Sequence, residues 1–229
     1  MTTGSLLGPG RDPLNAWKTK SNDALELKLV RTTEDGTISG EEFAPEFTYP
    51  VFGEKEEIFG YRDLHVKLHY AAGSLATYFG IEYAQQYDER TRKVDDIPQL
   101  LSEHMSPGYT DNYDAFLDTV RRDETEFRPF GEKFYEYELD DRDGSGTNDG
   151  VVFEMYKCNF STPGCKQYHK RIQLFLLWFI EGASFIEDTD PNWDLVFVYE
   201  KRKRNGQDIY SVVGYMTYYP FFYYPDKKR

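Results

Sequence analysis

The sequence predicts an α+β fold, and three kinds of pattern support this. Apolar and charged residues alternate at Ala24–Val30 and Leu64–Tyr70, as in strands with one solvent-facing side. Two helices are predicted next, a short one at Asp95–His104 and one at Asp111–Arg122 with apolar residues at helical spacing. A long apolar segment then leads into Asn205-Gly206, a strong hairpin signal. Strands and helices therefore mix along the chain with local hairpins, as in α+β proteins.

The first half contains strands before helices. We predict that Ser74–Tyr83, entered through Gly73, pairs antiparallel with the strand at Leu64–Tyr70. Pro98 lies near the start of the first predicted helix, where proline is tolerated. In the second helix the apolar face consists of Tyr113, Phe116, Leu117 and Val120.

The second half is built differently. Lys133–Leu139 and Val151–Lys157 predict strands joined by a Gly/Asp loop. Gly164 to Glu181 predicts one helix, polar at first and then apolar on every side, which indicates a central, buried position. Leu195–Lys201 and Ile209–Tyr218 predict the two strands of the final hairpin.

These patterns predict three regions. Residues 1–21 form a flexible leader, residues 22–126 an N-terminal α+β domain, and residues 127–229 a second domain.

Composition narrows the class of partner. Acidic residues outnumber basic residues by 40 to 27, giving a net charge of -13. This charge argues against direct nucleic-acid binding and favours a basic partner, although simple solubility also explains it. There is no apolar run long enough to predict a membrane span. Cys158 and Cys165 are expected to be buried thiols in a reducing compartment.

The sequence predicts no metal site. His65 and His69 would lie roughly 13 Å apart on one strand face, too far to share a metal ion. Asp141–Gly146 resembles a calcium loop, but Val152 stands where the bidentate glutamate is required. Asp35–Glu42 has only half of the same motif. We therefore interpret both stretches as polar turns.

An ordered series of motifs resembles the type B histone acetyltransferases of the GNAT superfamily. The resemblance extends from about residue 22 to the end, with near-identical spacing. The motifs are Glu26-Leu27-Lys28-Leu29-Val30-Arg31, Phe52-Gly53, Phe59-Gly60-Tyr61, Ala72-Gly73-Ser74-Leu75, Phe127-Arg128-Pro129-Phe130-Gly131, Trp178-Phe179-Ile180-Glu181-Gly182-Ala183-Ser184-Phe185-Ile186, Val213-Gly214-Tyr215-Met216-Thr217 and Tyr224-Pro225-Asp226-Lys227.

The resemblance implies a reaction and partners. Members of the family transfer acetyl from acetyl-CoA to lysines near the N-terminus of newly made histone four. They work with a WD-repeat histone-binding subunit, in the nucleus and the cytoplasm. The second region would then be the first part of a GNAT-type acetyltransferase domain.

The resemblance also implies substrate-binding residues. The family's tail-contacting loop matches Glu54, Lys55 and Glu56, although Lys55 departs from the usual acidic character. A tail-contacting tryptophan matches Trp193, and a second contact stretch matches Tyr219, Pro220 and Phe221. Without the resemblance, a solvated loop and ordinary packing aromatics would explain the same residues.

Glu181 is the candidate catalytic residue. It stands at the end of the apolar helix, where burial would favour a neutral carboxyl, as a base working near neutral pH requires. The resemblance, however, implies that the principal base lies in a later segment. A helix-end charge is the other interpretation of Glu181.

The resemblance ends before the family's acetyl-CoA motif, a glycine-rich loop followed by a helix whose N-terminus holds the pyrophosphate. We find no substitute loop in the sequence, so no cofactor-binding residue is assigned. We expect this chain alone to have little acetyltransferase activity. A non-catalytic histone-tail or histone-chaperone binding module is the alternative. The strand ending near Tyr218 is expected to lack a neighbour, leaving the aromatic run after it partly exposed.

Overall fold

The computed structural model describes residues 13–33, 35–138, 151–223 and 227–228, with side chains up to residue 221. A 3-10 helix at Pro13–Trp17 opens this part of the chain. The helices are α1 (Ser21–Ala24), α2 (Tyr49–Phe52), α3 (Ile97–Ser102), α4 (Tyr113–Glu126), α5 (Cys165–Ile172) and α6 (Leu174–Phe179). The strands are β1 (Lys18–Lys20), β2 (Leu25–Thr32), β3 (Ile38–Phe43), β4 (Glu57–Phe59), β5 (Tyr61–Arg62), β6 (His65–Ala71), β7 (Thr77–Glu82), β8 (Gln85–Gln86), β9 (Glu132–Glu138), β10 (Val152–Asn159), β11 (Asp194–Arg204), β12 (Gln207–Tyr218), β13 (Phe222–Tyr223) and β14 (Lys227–Lys228). The predicted α+β class is confirmed.

The first large sheet has the strand order β3-β2-β6-β7. β6 and β7 pair antiparallel, with His65 opposite Glu82, so the predicted pairing is confirmed. β2 lies parallel to β6, with Leu25 opposite Val66, and antiparallel to β3. The apolar residues of β2 and β6 therefore face the core together, and Leu27, Val66 and Leu68 are fully buried.

The second large sheet has the order β12-β11-β10-β9, and every pair is antiparallel. Asn205 and Gly206 join β11 to β12 with φ values of 51° and 78°. Positive φ at both positions is the geometry of a type I′ turn, so the hairpin prediction is confirmed. β12 forms an edge of this sheet among the described residues, and Phe221 beyond it is 70% exposed.

The two predicted amphipathic helices are present as α3 and α4. Pro98 lies in the first turn of α3, where the Asp96 side chain accepts the Gln99 N–H. In α4, Phe116 and Val120 are buried against Val30 and Ala71 of the first sheet. The helix runs to Glu126, four residues further than predicted.

The predicted long buried helix is wrong in two respects. Gln173 interrupts it, because the Leu176 N–H bonds three residues back to the Gln173 carbonyl. Its apolar half, α6, is buried on one side only. Leu174, Leu177 and Trp178 are buried, whereas Phe175, Leu176 and Phe179 border a groove and Ile180 is 52% exposed.

One buried cluster joins the two sheets. It contains Leu27 and Leu68 of the first sheet, Phe197 of the second, and Tyr168 and Trp178 of the helices between them. Phe127, at the proposed domain boundary, belongs to the same cluster. The division near residue 127 stays a prediction.

The ordered N-terminal segment overlaps the predicted leader. Trp17 packs edge-on against Tyr87, and the guanidinium of Arg62 lies 4.1 Å from the centre of the Trp17 ring. β1 then pairs with β4. Residues 13–21 are therefore structured, and residues 1–12 lie outside the described part of the chain.

The expectation of two free thiols is wrong. Cys158, at the end of β10, and Cys165, at the start of α5, are both buried and form a disulfide. The turn between β10 and α5 brings them together.

The turn between β6 and β7 receives hydrogen bonds from distant elements. The Tyr168 hydroxyl donates to the Gly73 carbonyl, and the Arg171 guanidinium donates to the Ser74 carbonyl, both at 2.9 Å. The Ser74 N–H donates to the Asp123 carboxylate at 2.9 Å, and the Val212 N–H donates to the Ala72 carbonyl at 2.8 Å. This turn therefore connects α4, α5 and β12.

Replacing Tyr168 with Phe should lower the free energy of unfolding by about 1–2 kcal/mol, because the buried Gly73 carbonyl loses its partner. Tyr215→Phe is the matched control, since the buried Tyr215 hydroxyl has no hydrogen-bond partner among the described residues. The control should be neutral or slightly stabilising. Urea unfolding measures both, and equal losses would contradict the role assigned to Tyr168.

Candidate functional site

The loop from Gly53 to Glu56 follows α2 and has an unusual backbone. Gly53 has a φ of 80° and Glu56 a φ of 49°, and the Glu56 N–H closes the turn on the Gly53 carbonyl. Glu54 and Lys55 are exposed, whereas Glu56 is half-buried. The three residues that the sequence grouped together therefore have different surroundings.

Glu56 is bound within the protein. Its Oε1 accepts the Thr48 N–H at 2.7 Å, the Thr48 hydroxyl at 3.2 Å and the Asn22 amide at 3.4 Å. Its carbonyl accepts the Ser21 N–H at 2.9 Å. The hydrogen bond from the Thr48 N–H lowers the pKa of Glu56. This carboxylate holds the loop in place, and Glu54 is the carboxylate that the loop presents to solvent.

Trp193, Tyr219 and Phe221 form an aromatic cluster. The Trp193 and Tyr219 ring centres are 5.0 Å apart, and those of Tyr219 and Phe221 are 5.1 Å apart. Asp194 of β11 pairs with Tyr218 of β12, so the residues flanking this pair also meet. A hydrogen bond to Asp190 raises the pKa of Tyr219. Trp193 and Pro220 are half-buried, and a ligand can reach the cluster.

Glu181 is exposed, so the predicted burial of its side chain is wrong. The physical reason is that α6 ends at Phe179 and the chain turns outward at Ile180. Gly182, with a φ of 69°, completes the turn and donates its N–H to the Tyr49 hydroxyl at 2.7 Å. A catalytic role for Glu181 stays a prediction.

Hydrogen bonds join the Glu181 turn to the segment before the Gly53–Glu56 loop, which is named the peptide loop after its predicted role. The N–H groups of Glu46 and Phe47 both donate to the Trp178 carbonyl, at 2.9 and 3.0 Å. The same segment continues into α2 and then into Gly53. Within the described residues, no hydrogen bond or ring contact joins the aromatic cluster to this unit. The structure thus joins two of the three predicted site regions, the Gly53–Glu56 loop and the turn at Glu181.

The sequence did not predict the residues whose hydrogen bonds hold the Glu181 turn and the Gly53–Glu56 loop. Tyr49, Thr48 and Asn22 act through bonds to residues 8 to 133 positions away. Only the positive φ at Gly53 has a local signal, the glycine itself. No periodic pattern marks the others.

Two neighbouring grooves border the edge strand β12. The apolar groove, about 280 Å³, lies between α6 and β12 and includes Leu29 and Phe179. The polar groove, about 380 Å³, lies between the two large sheets and contains the Arg31–Glu200 ion pair at 3.1 Å. Both include Leu29 and Val213.

The N-terminus of α4 does not suit a pyrophosphate, because its first turn carries Asp114 and follows Asp111, which would repel phosphate. Within the described residues we also find no group of three His, Cys, Asp or Glu that could hold a metal ion. None of the helices described is long and apolar enough to cross a membrane.

Comparison with known proteins identifies the family. The family described as "Histone acetyl transferase HAT1 N-terminus" matches residues 17–181. The chain belongs to the HAT1 N-terminus family. The resemblance found in the motifs is thereby confirmed.

Relatives of the HAT1 N-terminus family include histone acetyltransferase type B catalytic subunits. The chain is 38% identical to that of Cryptococcus neoformans over 95% of this chain and 58% of the relative. It is 39% identical to that of Homo sapiens over 94% of this chain and 51% of the relative. The chain therefore spans about half the length of the curated relatives it matches.

Replacing Glu56 with Gln should lower the free energy of unfolding at pH 7 by about 1–2 kcal/mol, since charge-assisted bonds from Thr48 and Asn22 are weakened. The lowered pKa means that this contribution is present above about pH 4.5, the ordinary value, and lost as pH falls below it. The difference between variant and wild type should therefore shrink in acid.

Glu54→Gln, at an exposed position of the same loop, is the control and should change stability by less than about 0.5 kcal/mol. Thermal or urea unfolding across pH measures both variants. A stability difference for Glu56→Gln that persists in acid would contradict the bonded role of the carboxylate.

Proposed function

We propose that this chain provides the histone-binding part of a type B histone acetyltransferase, which transfers acetyl from acetyl-CoA to N-terminal tail lysines of newly made histone four. The observation that carries the proposal is that the family match, residues 17–181, includes two exposed carboxylates on hydrogen-bonded segments. These are Glu54 of the loop and Glu181 of the turn after α6.

Charge supports a basic substrate. The net charge of -13 favours encounter with a lysine- and arginine-rich peptide. Glu54 and Glu181 would pair with such side chains, and the Trp193 cluster would receive an aliphatic or cationic group against its rings. Lys55 lies beside Glu54 and reduces the local negative charge.

The reaction needs a deprotonated lysine, whose ordinary pKa is about 10.4. Acetyl-CoA would supply the acetyl group as co-substrate. Because Glu181 is exposed, we propose that it helps to place the lysine, and that the principal base comes from elsewhere in the catalytic subunit. No step is assigned to the bound cofactor.

We also propose that the protein works with a WD-repeat histone-binding subunit. Its proposed location is both the nucleus and the cytoplasm. The basic run Lys201-Arg202-Lys203-Arg204 is of the kind that serves as a localisation signal, although such a run at a hairpin tip is also an ordinary solvated cluster. It leads into the hairpin turn, and three of its side chains form ion pairs: Lys201 with Glu154, Arg202 with Glu200 and Arg204 with Glu124. Such pairing makes the cluster less available to a receptor.

A non-catalytic histone-tail binding module is the second candidate, favoured by the exposure of Glu181, which leaves the candidate base without its predicted burial. The deciding experiment combines folded chain, a histone-four tail peptide and labelled acetyl-CoA. Saturable acetyl transfer supports the enzyme, and binding of the peptide without transfer supports the binding module. Failure of the folded chain to bind the peptide would overturn both.

Peptide binding should weaken between about 0.1 M and 1 M salt, because the screening length falls from about 10 Å to about 3 Å. Trp193→Ala should weaken it about fivefold, by removing a wall for the basic side chain. Phe134→Ala is the control, since Phe134 is 55% exposed on β9, at the opposite edge of the sheet from β12. Titration calorimetry measures all three, and equal effects of the two substitutions would contradict a role for Trp193.

A further inference from the structure

Tyr49 links the two exposed carboxylates of the site. It is the first residue of α2, and its backbone carbonyl accepts the Gly53 N–H at 2.9 Å. Its hydroxyl accepts the Gly182 N–H at 2.7 Å. One residue therefore contacts both the start of the peptide loop and the turn that carries Glu181.

The Glu181 turn has few other constraints. Ala183 closes it through a 3.2 Å bond to the Ile180 carbonyl, and the adjoining Ile180 is half exposed. The Glu181 side chain forms no ion pair or hydrogen bond among the described residues. The point from which this side chain extends therefore depends on the backbone, which the Tyr49 hydroxyl holds at Gly182.

The peptide loop is fixed at its other end. Glu56 is held by Thr48 and Asn22, and Gly53 is held by Tyr49. Glu54 thus projects from a loop whose two ends are anchored. Thr48 and Tyr49 are adjacent, so both anchors originate from the same short segment.

We infer that Tyr49 is a positioning residue that sets the spacing between the backbone segments carrying Glu54 and Glu181, so that a basic peptide meets both side chains at once. The inference rests on the proposed function, because it concerns the same peptide site. It adds a residue to that site and a reason for selectivity: two carboxylates carried by a backbone of fixed spacing favour peptides whose cations have matching spacing.

A purely structural role for Tyr49 makes a different prediction. Loss of one hydroxyl would then lower stability without changing how Glu181 contributes to peptide binding. A double-mutant cycle separates the two roles, because only positioning makes the effects of two substitutions dependent on each other.

The experiment compares Tyr49→Phe, Glu181→Gln and the double variant in binding a histone-four tail peptide, by titration at low salt. Glu181→Gln should weaken binding by about threefold in the wild-type background, as for one exposed ion pair. In the Tyr49→Phe background the same change should cost less than about 1.5-fold. Tyr83→Phe is the matched control, since its hydroxyl bonds to Gln86 at 3.3 Å, outside the site.

Amide hydrogen exchange at Gly182 reports the link itself. It should accelerate by at least about fivefold in Tyr49→Phe and remain unchanged in Tyr83→Phe. Unchanged exchange, or an equal effect of Glu181→Gln in both backgrounds, would overturn the role of Tyr49 while peptide binding still supported the proposed function. Absence of peptide binding by the folded wild-type chain would instead overturn the proposed function, and the inference with it.

Discussion

The turn between β6 and β7 is the constraint on which the rest of the structure depends. Its carbonyl and N–H groups at Ala72, Gly73 and Ser74 bond to α4, α5 and β12. Buried backbone groups need partners, so each of these elements must approach the turn in one orientation. Gly73 permits the approach, because an added Cβ would lie 3.0 Å from the Phe127 ring and 3.1 Å from the Tyr210 carbonyl. The two sheets are therefore joined by polar contacts as well as by the core.

The same turn also determines the position of the candidate site, through helices α5 and α6. The turn fixes α5 by its Tyr168 and Arg171, and α6 follows after a single residue. Trp178, fully buried in α6, then offers its carbonyl to the segment that precedes the peptide loop. The position of that loop is thus set by packing more than a hundred residues later in the chain. We therefore expect a substitution at the turn to change the position of the loop without contacting it.

Local patterns predicted the local structure well. The Asn205-Gly206 hairpin, the α3 start near Pro98 and the apolar face of α4 all follow from short-range sequence signals. What the sequence could not predict depends on distant partners. The parallel β2–β6 pairing, the second face of α6 and the exposure of Glu181 are decided by which surfaces meet, and residue type alone does not specify this. The candidate site residues were predicted from the family resemblance. The residues that hold them in place were predicted neither by local sequence patterns nor by the resemblance.

Not every acidic side chain of this protein is available to a basic peptide. Glu154 is 1% exposed; burial alone would raise its pKa, but hydrogen bonds from Lys201, Tyr156 and Lys133 more than offset this and lower it. Glu56 and Glu200 are likewise occupied by internal partners. Net charge governs long-range attraction, whereas recognition at contact depends on carboxylates that are both exposed and held in place. Glu54 and Glu181 are exposed, and neutral hydrogen bonds from residues such as Tyr49 hold the backbone that carries them while leaving both side chains open to solvent.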